Sequence, residues 1–141
     1  FASNATHLVA DVGGYTSAVG ANTGSVFSAV SPSRLLDTRD GAGKVGANGT
    51  TVLSVAGHGG VPVGATAAVL NVTVTEPEGD GYVTVYPCDA PRPLASNLNY
   101  VAGQTVPNLV AVRLDAQGSA CLFSLAPTHL VADVAGYFAA S

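Results

Sequence analysis

Several groups of residues in this chain have the types that perform chemistry. His7 and Asp11 stand four positions apart, and the same pair returns as His129 and Asp133, followed by Tyr15 and Tyr137 respectively. On a strand that spacing leaves both side chains on one face but roughly 13 Å apart, too far for a direct hydrogen bond. A Ser–His–Asp constellation also needs a serine beside the imidazole, and no G-x-S-x-G turn nominates one. The pairs therefore read as a polar strand face held by cross-strand hydrogen bonds.

SRLLDTRDGAG at 33–43 puts Asp37 and Asp40 among Arg34 and Arg39. Two carboxylates before a glycine suggest an oxygen-rich calcium loop, but the EF-hand spacing and its terminal Glu are absent, and Arg39 places positive charge where the cation would sit. Arg–Asp pairing that pins the loop is the better reading, since guanidinium binds carboxylate in a planar fork. No metal site is expected. GHGG at 57–60 has the glycines of an oxyanion loop without a nucleophile, and reads as a turn carrying an exposed His58. EPEGDG at 76–81 gathers Glu76, Glu78 and Asp80 on a turn, where nothing aromatic or apolar nearby would raise one pKa for glycoside hydrolysis.

The remaining candidate is a run of amides around one aromatic ring: Asn97, Asn99, Tyr100, Gln104 and Asn108. Planar amides pair with sugar hydroxyls and a ring can cover the apolar face of a pyranose, so the run is the candidate ligand-binding set. Tyr82 and Tyr86 are alternative platforms. Amides in strands equally serve bulges and turns, and the absence of Trp weakens the sugar reading.

Cys88 and Cys121 are too few and too far apart for a zinc framework. A disulfide between them is expected, joining the end of GYVTVYP to the strand at 119–125, and with it an oxidising compartment. The formal net charge is −4, and the five basic residues Arg34, Arg39, Lys44, Arg92 and Arg113 are scattered singly. That gives no stripe to track a phosphate backbone, so no nucleic-acid partner is expected. No apolar run approaches the roughly 20 residues of a membrane helix, so no membrane insertion is expected. No signal segment opens the sequence, which places any export signal on a part of the precursor outside it. No cofactor is expected either.

The elements that position these residues are strands. TAAVLNVTVT at 66–75 alternates Leu70, Val72 and Val74 with Asn71, Thr73 and Thr75, the period of a strand with one face in the core. GYVTVYP follows after EPEGDG, and the two read as a hairpin. Further strands fit 24–30, 50–56, 96–101, 104–114, 119–125 and 128–134, with DAQG at 115–118 making 104–125 a second hairpin. Pro107 marks an edge position or a bulge. SRLLDTR could coil for one turn at most. With 17 Gly, 8 Pro and 10% charged residues, ten or so short strands predict an all-β, antiparallel β-sandwich of jelly-roll type, with a β-barrel as the alternative. A β-trefoil fits the length but needs three similar sub-repeats, and none is visible. A chain of 141 residues is long enough to bury about 68–70% of its unfolded surface.

THLVADVGGY at 6–15 and THLVADVAGY at 128–137 differ at a single position. Self-similarity at long range marks tandem modules. Residues 1–15 thus read as the terminal strand of a preceding repeat or a linker, and 16–141 as one β-domain. The copy at 6–12 is expected to be a strand, paired at the opposite edge or with a neighbour by strand addition.

SRLLDTRDG at 33–41, GVPVGATAAVLNVTVTEPEGDGYVTVYPC at 60–88, SNLNYVAGQTVPNLVAVRL at 96–114 and HLVADVAGYF at 129–138 resemble a repeated accessory module of secreted actinobacterial cell-surface proteins. The single lysine, together with abundant Thr, Ser, Asn, Gly and Ala, resembles the surfaces of exported proteins of high-GC bacteria. The resemblance implies a secreted or cell-surface-attached, non-catalytic accessory module, structural or adhesive, with neighbouring repeats as partners. The alternative is a carbohydrate-binding module for cell-wall or plant glycans. It implies no catalytic residues.

Overall fold

A computed structural model of the chain describes residues 4–7, 9–16 and 24–140. Eight strands account for the fold: β1 (Ser25–Asp37), β2 (Gly49–Ser54), β3 (Ala67–Thr75), β4 (Gly81–Tyr86), β5 (Leu98–Tyr100), β6 (Val106–Arg113), β7 (Ser119–Ser124) and β8 (His129–Ala140). They form two four-stranded sheets, ordered β1-β8-β3-β6 and β2-β7-β4-β5, with every pairing antiparallel. β1 pairs with β8, β2 with β7, β3 with β6 and β4 with β5, so the chain is one long antiparallel ribbon doubled on itself. Rolling that ribbon brings β8 beside β3 and β7 beside β4. The result is a jelly-roll sandwich, neither a closed barrel nor a trefoil.

Alternation decides which side chains fill the space between the sheets. Ala68, Leu70, Val72 and Val74 of β3 are fully buried, while Val69, Asn71 and Thr73 on the other face are not. Leu130, Ala132 and Val134 of β8 join them from the same sheet, and Leu53, Val83 and Leu122 face them from the other. Pro107 sits opposite Thr73 on the edge strand β6, where a missing N–H costs no ladder bond.

Both expected hairpins are overturned. β3 pairs with β8 and β6 whereas β4 pairs with β7 and β5, so EPEGDG carries the chain from one sheet to the other. DAQG does the same between β6 and β7. Period-two patterning identifies an inward face but is equally satisfied by strands that oppose each other across the core. Among the described residues the strands number eight, fewer than the ten or so expected. SRLLD does not coil; it continues β1, which absorbs extra residues through register shifts at Ala29/Ser33 and Arg34/Leu36.

The N-terminal copy also departs from expectation. Among its described residues none belongs to a strand and all are exposed, Val9 by 88% and Val12 by 93%; Leu8 lies outside the described residues. The C-terminal copy, by contrast, is an interior strand with β1 on one side and β3 on the other. Identical side chains thus stand in opposite environments, because only one copy has both neighbours.

Candidate functional site

The polar residues of β8 are held as structural groups. His129 Nδ1 meets Thr38 Oγ1 at 3.0 Å, and Asp133 receives Arg34 Nε at 2.7 Å and Nη2 at 3.2 Å. Arg34 also donates to Asp37 at 2.9 Å, and Asp37 accepts from Arg39 at 2.8 and 2.6 Å. The hydrogen bonds from the Arg39 side chain and backbone, with that from Arg34, hold Asp37 well below the usual carboxylate range, and the same contact raises Arg39. Arg34 is raised chiefly by its bond to Asp133. The Arg–Asp pairing read in SRLLDTRDG is present and extends to β8, a link over 99 positions of sequence that no local signal announces. Asp40 takes no part in these ion pairs. Among the described residues no group of three or more His, Cys, Asp or Glu converges as a metal site.

His58 is exposed in its turn, with Nδ1 at 3.1 Å from the Ala56 carbonyl and positive φ at Gly57, Gly59 and Gly60. At the other turn, Glu78 pairs with Lys44 at 2.9 Å and Asp80 accepts the Ala102 amide at 2.9 Å. Those carboxylates serve the connections between the sheets.

The amide run is divided by the fold. Tyr100 shares the inward face of β5 with Leu98, is 4% exposed, and its hydroxyl lies 2.8 Å from Ser124 Oγ while accepting the Ala126 amide at 3.2 Å. It is a core residue and offers no stacking surface. Alternation in SNLNYV already carried that signal, since Leu98 and Tyr100 share a parity that Asn97 and Asn99 do not. Asn97 Oδ1 accepts the Val85 amide at 2.8 Å, extending the β4–β5 ladder beyond its last backbone rung. Gln104 Oε1 accepts the Val101 amide at 3.2 Å and closes the turn before β6. Asn108 donates Nδ2 to the Asn97 carbonyl, joining the β6 edge to the start of β5 across the mouth of the sandwich.

Asn99 remains, exposed and directly opposite Tyr82 in the ladder. The 87–97 connection shapes its surroundings by folding over the outer face of the second sheet. The Cys88–Cys121 disulfide pins its start, Thr84 Oγ1 donates to the Ala95 carbonyl at 2.8 Å, and Arg92 lies 3.6 Å from the centre of the Phe123 ring. Tyr82 leans on Phe123 at 5.8 Å between centroids and receives Arg92 Nη1 at 3.3 Å, so it stays half-buried. Tyr86 is half-buried as well, opposite Cys121. Leu94 stands fully exposed on this connection, directly after DAPRP at 89–93, where no periodicity singles it out in the sequence.

Two open depressions result. One, of about 480 Å³, is bordered by Asn97, Asn108 and Arg113; the other, of about 430 Å³, by Tyr82, Leu94 and Asn99. Asp11 of the N-terminal segment borders both. The second brings together an amide, a phenol ring and an aliphatic side chain, groups that bind by hydrogen bonding and apolar contact.

No protein-family model matches this chain, and no curated protein matches it. The reading of its function therefore rests on the residues themselves.

Proposed function

We propose that the chain is a non-catalytic accessory module of an exported bacterial surface protein, with a structural or adhesive role exercised beside neighbouring repeats. The observation that carries this reading is the second copy of β8. A strand whose sequence suits the interior of a sheet needs two flanking strands, and a copy ahead of β1 matches the end of a module that precedes this one. Tandem modules present one surface repeatedly, and linkage raises the effective concentration of weak contacts. The Cys88–Cys121 bridge supports an oxidising location such as the cell exterior.

The exposed Asn99 beside Tyr82 and Leu94 favours a second reading, a glycan-binding module. Retention of the full chain on peptidoglycan and on a glycan array separates the two. A structural module gives no saturable binding, whereas a glycan module gives binding that N99A weakens while the melting temperature stays unchanged. Turnover of a glycoside, ester or peptide that survives repurification and vanishes on a single substitution would overturn the non-catalytic reading.

A further inference from the structure

The slot that β8 occupies imposes specific demands, and the N-terminal copy meets nearly all of them. At Thr128 the slot needs a hydroxyl, fully buried and donating to the Thr75 carbonyl at 3.0 Å; the copy has Thr6. At 129 it needs an imidazole for Thr38 and at 133 a carboxylate for Arg34; the copy has His7 and Asp11. The fully buried Leu130, Ala132 and Val134 have their equals in Leu8, Ala10 and Val12. Position 136 favours glycine, because a Cβ there would press on the Phe27 ring and on the Ser28 carbonyl; the copy has Gly14.

We propose that residues 6–15 are an interchangeable eighth strand, able to replace 128–137 between β1 and β3. Connectivity permits the exchange within one chain. β8 runs antiparallel to β1, with Tyr137 opposite Ser28 and Asp133 opposite Arg34, so the same register sets Tyr15 opposite Ser28 and Asp11 opposite Arg34. The copy then joins β1 as a hairpin, since antiparallel strands need only a short connection, and GANTG at 20–24 has the residue types of a tight turn. The C-terminal copy holds the slot here because its last rungs are better. Phe138 packs on Phe27 at 5.3 Å between centroids, and Ala139 and Ala140 extend the ladder to Ser25; the copy has Thr16 where β8 has Phe138. Exchange frees 128–137 for the equivalent slot of another module, so that adjoining repeats become linked by a strand.

The test uses the full chain with Ala132→Asp and Val134→Asp together, which puts two carboxylates into the core and bars the C-terminal copy from its slot. The variant is expected to stay folded and monomeric. Its hydrogen-exchange pattern should invert relative to the wild type: amides of 6–15 become protected and those of 129–138 exchange at once. Adding Ala10→Asp and Val12→Asp should abolish the cooperative thermal transition, whereas those two changes alone should leave the wild-type transition in place. An unfolded A132D/V134D chain, or a folded one in which 6–15 still exchanges freely, overturns the proposal. A dimer overturns the intrachain hairpin, since the copy would then seat in a second molecule.

Discussion

Arg34 and Asp133 face each other across the β1–β8 ladder, the guanidinium holding both carboxylate oxygens at 2.7 and 3.2 Å. The same guanidinium reaches Asp37, which is also held by Arg39, so three consecutive contacts tie the end of β1 and its turn to β8. Arg34 is 49% exposed and Asp133 is 24% exposed. Their coupling in an R34A/D133A double-mutant cycle is expected at about 0.5–1 kcal/mol, the range of solvent-screened pairs with good geometry. A coupling indistinguishable from zero would mean that solvent screening removes the pair's contribution altogether.

Asp37 makes stability depend on acid. Its native pKa is depressed by Arg39 and Arg34, so the unfolded chain binds the proton more readily than the folded one. The stabilisation is complete above the ordinary carboxylate value of about 3.9 and declines as the pH falls below it toward the depressed native value. Melting temperatures measured from pH 7 downward should drop below about pH 4. D37N should flatten part of that slope, and an unchanged slope would assign it to other carboxylates.

The disulfide joins the start of the 87–97 connection, just after β4, to β7 with a Cα separation of 5.0 Å. Closing a loop over a sequence separation of 33 contributes about 3–4 kcal/mol in the chain-entropy model. Reductant, or C88S/C121S, should lower the melting temperature by several degrees. Because the bridge also anchors the 87–97 connection, exchange of amides near Ala90 and Ala95 should accelerate before that of β7. Uniform acceleration through β7 would show that the bridge secures the sheet and not the connection.

Tyr100→Phe removes a hydroxyl that serves Ser124 and the Ala126 amide in a buried setting. The cost is expected at about 1–3 kcal/mol, that of leaving buried partners unsatisfied, with no change in the retention of folded protein on glycans. A loss of retention without a loss of stability would return Tyr100 to the binding surface.

Much of this architecture was legible from local pattern. Leu70, Val72 and Val74 marked β3, Pro107 marked an edge, and the two cysteines had only each other as partners. These features depend on neighbours in sequence: the period of a strand, the missing amide of proline, the chemistry of a thiol. The site was legible only in part. Asn97, Gln104 and Asn108 proved to be bonded within the structure, Tyr100 to be core, and Leu94 carried no periodic signal.

The sequence by itself determined most of the strands, the inward face of β3 and the duplication of THLVADV. Only the tertiary structure decided which strands are neighbours, because alternation is satisfied equally by pairing within a sheet and by opposition across the core. Closure of the roll sends β3 and β4 to different sheets despite the turn between them. It also gives one copy of the duplicated strand two partners and leaves the described residues of the other exposed. Near-identical residues meet different fates here because backbone pairing and apolar burial need a flanking strand, and the slot between β1 and β3 accepts only one.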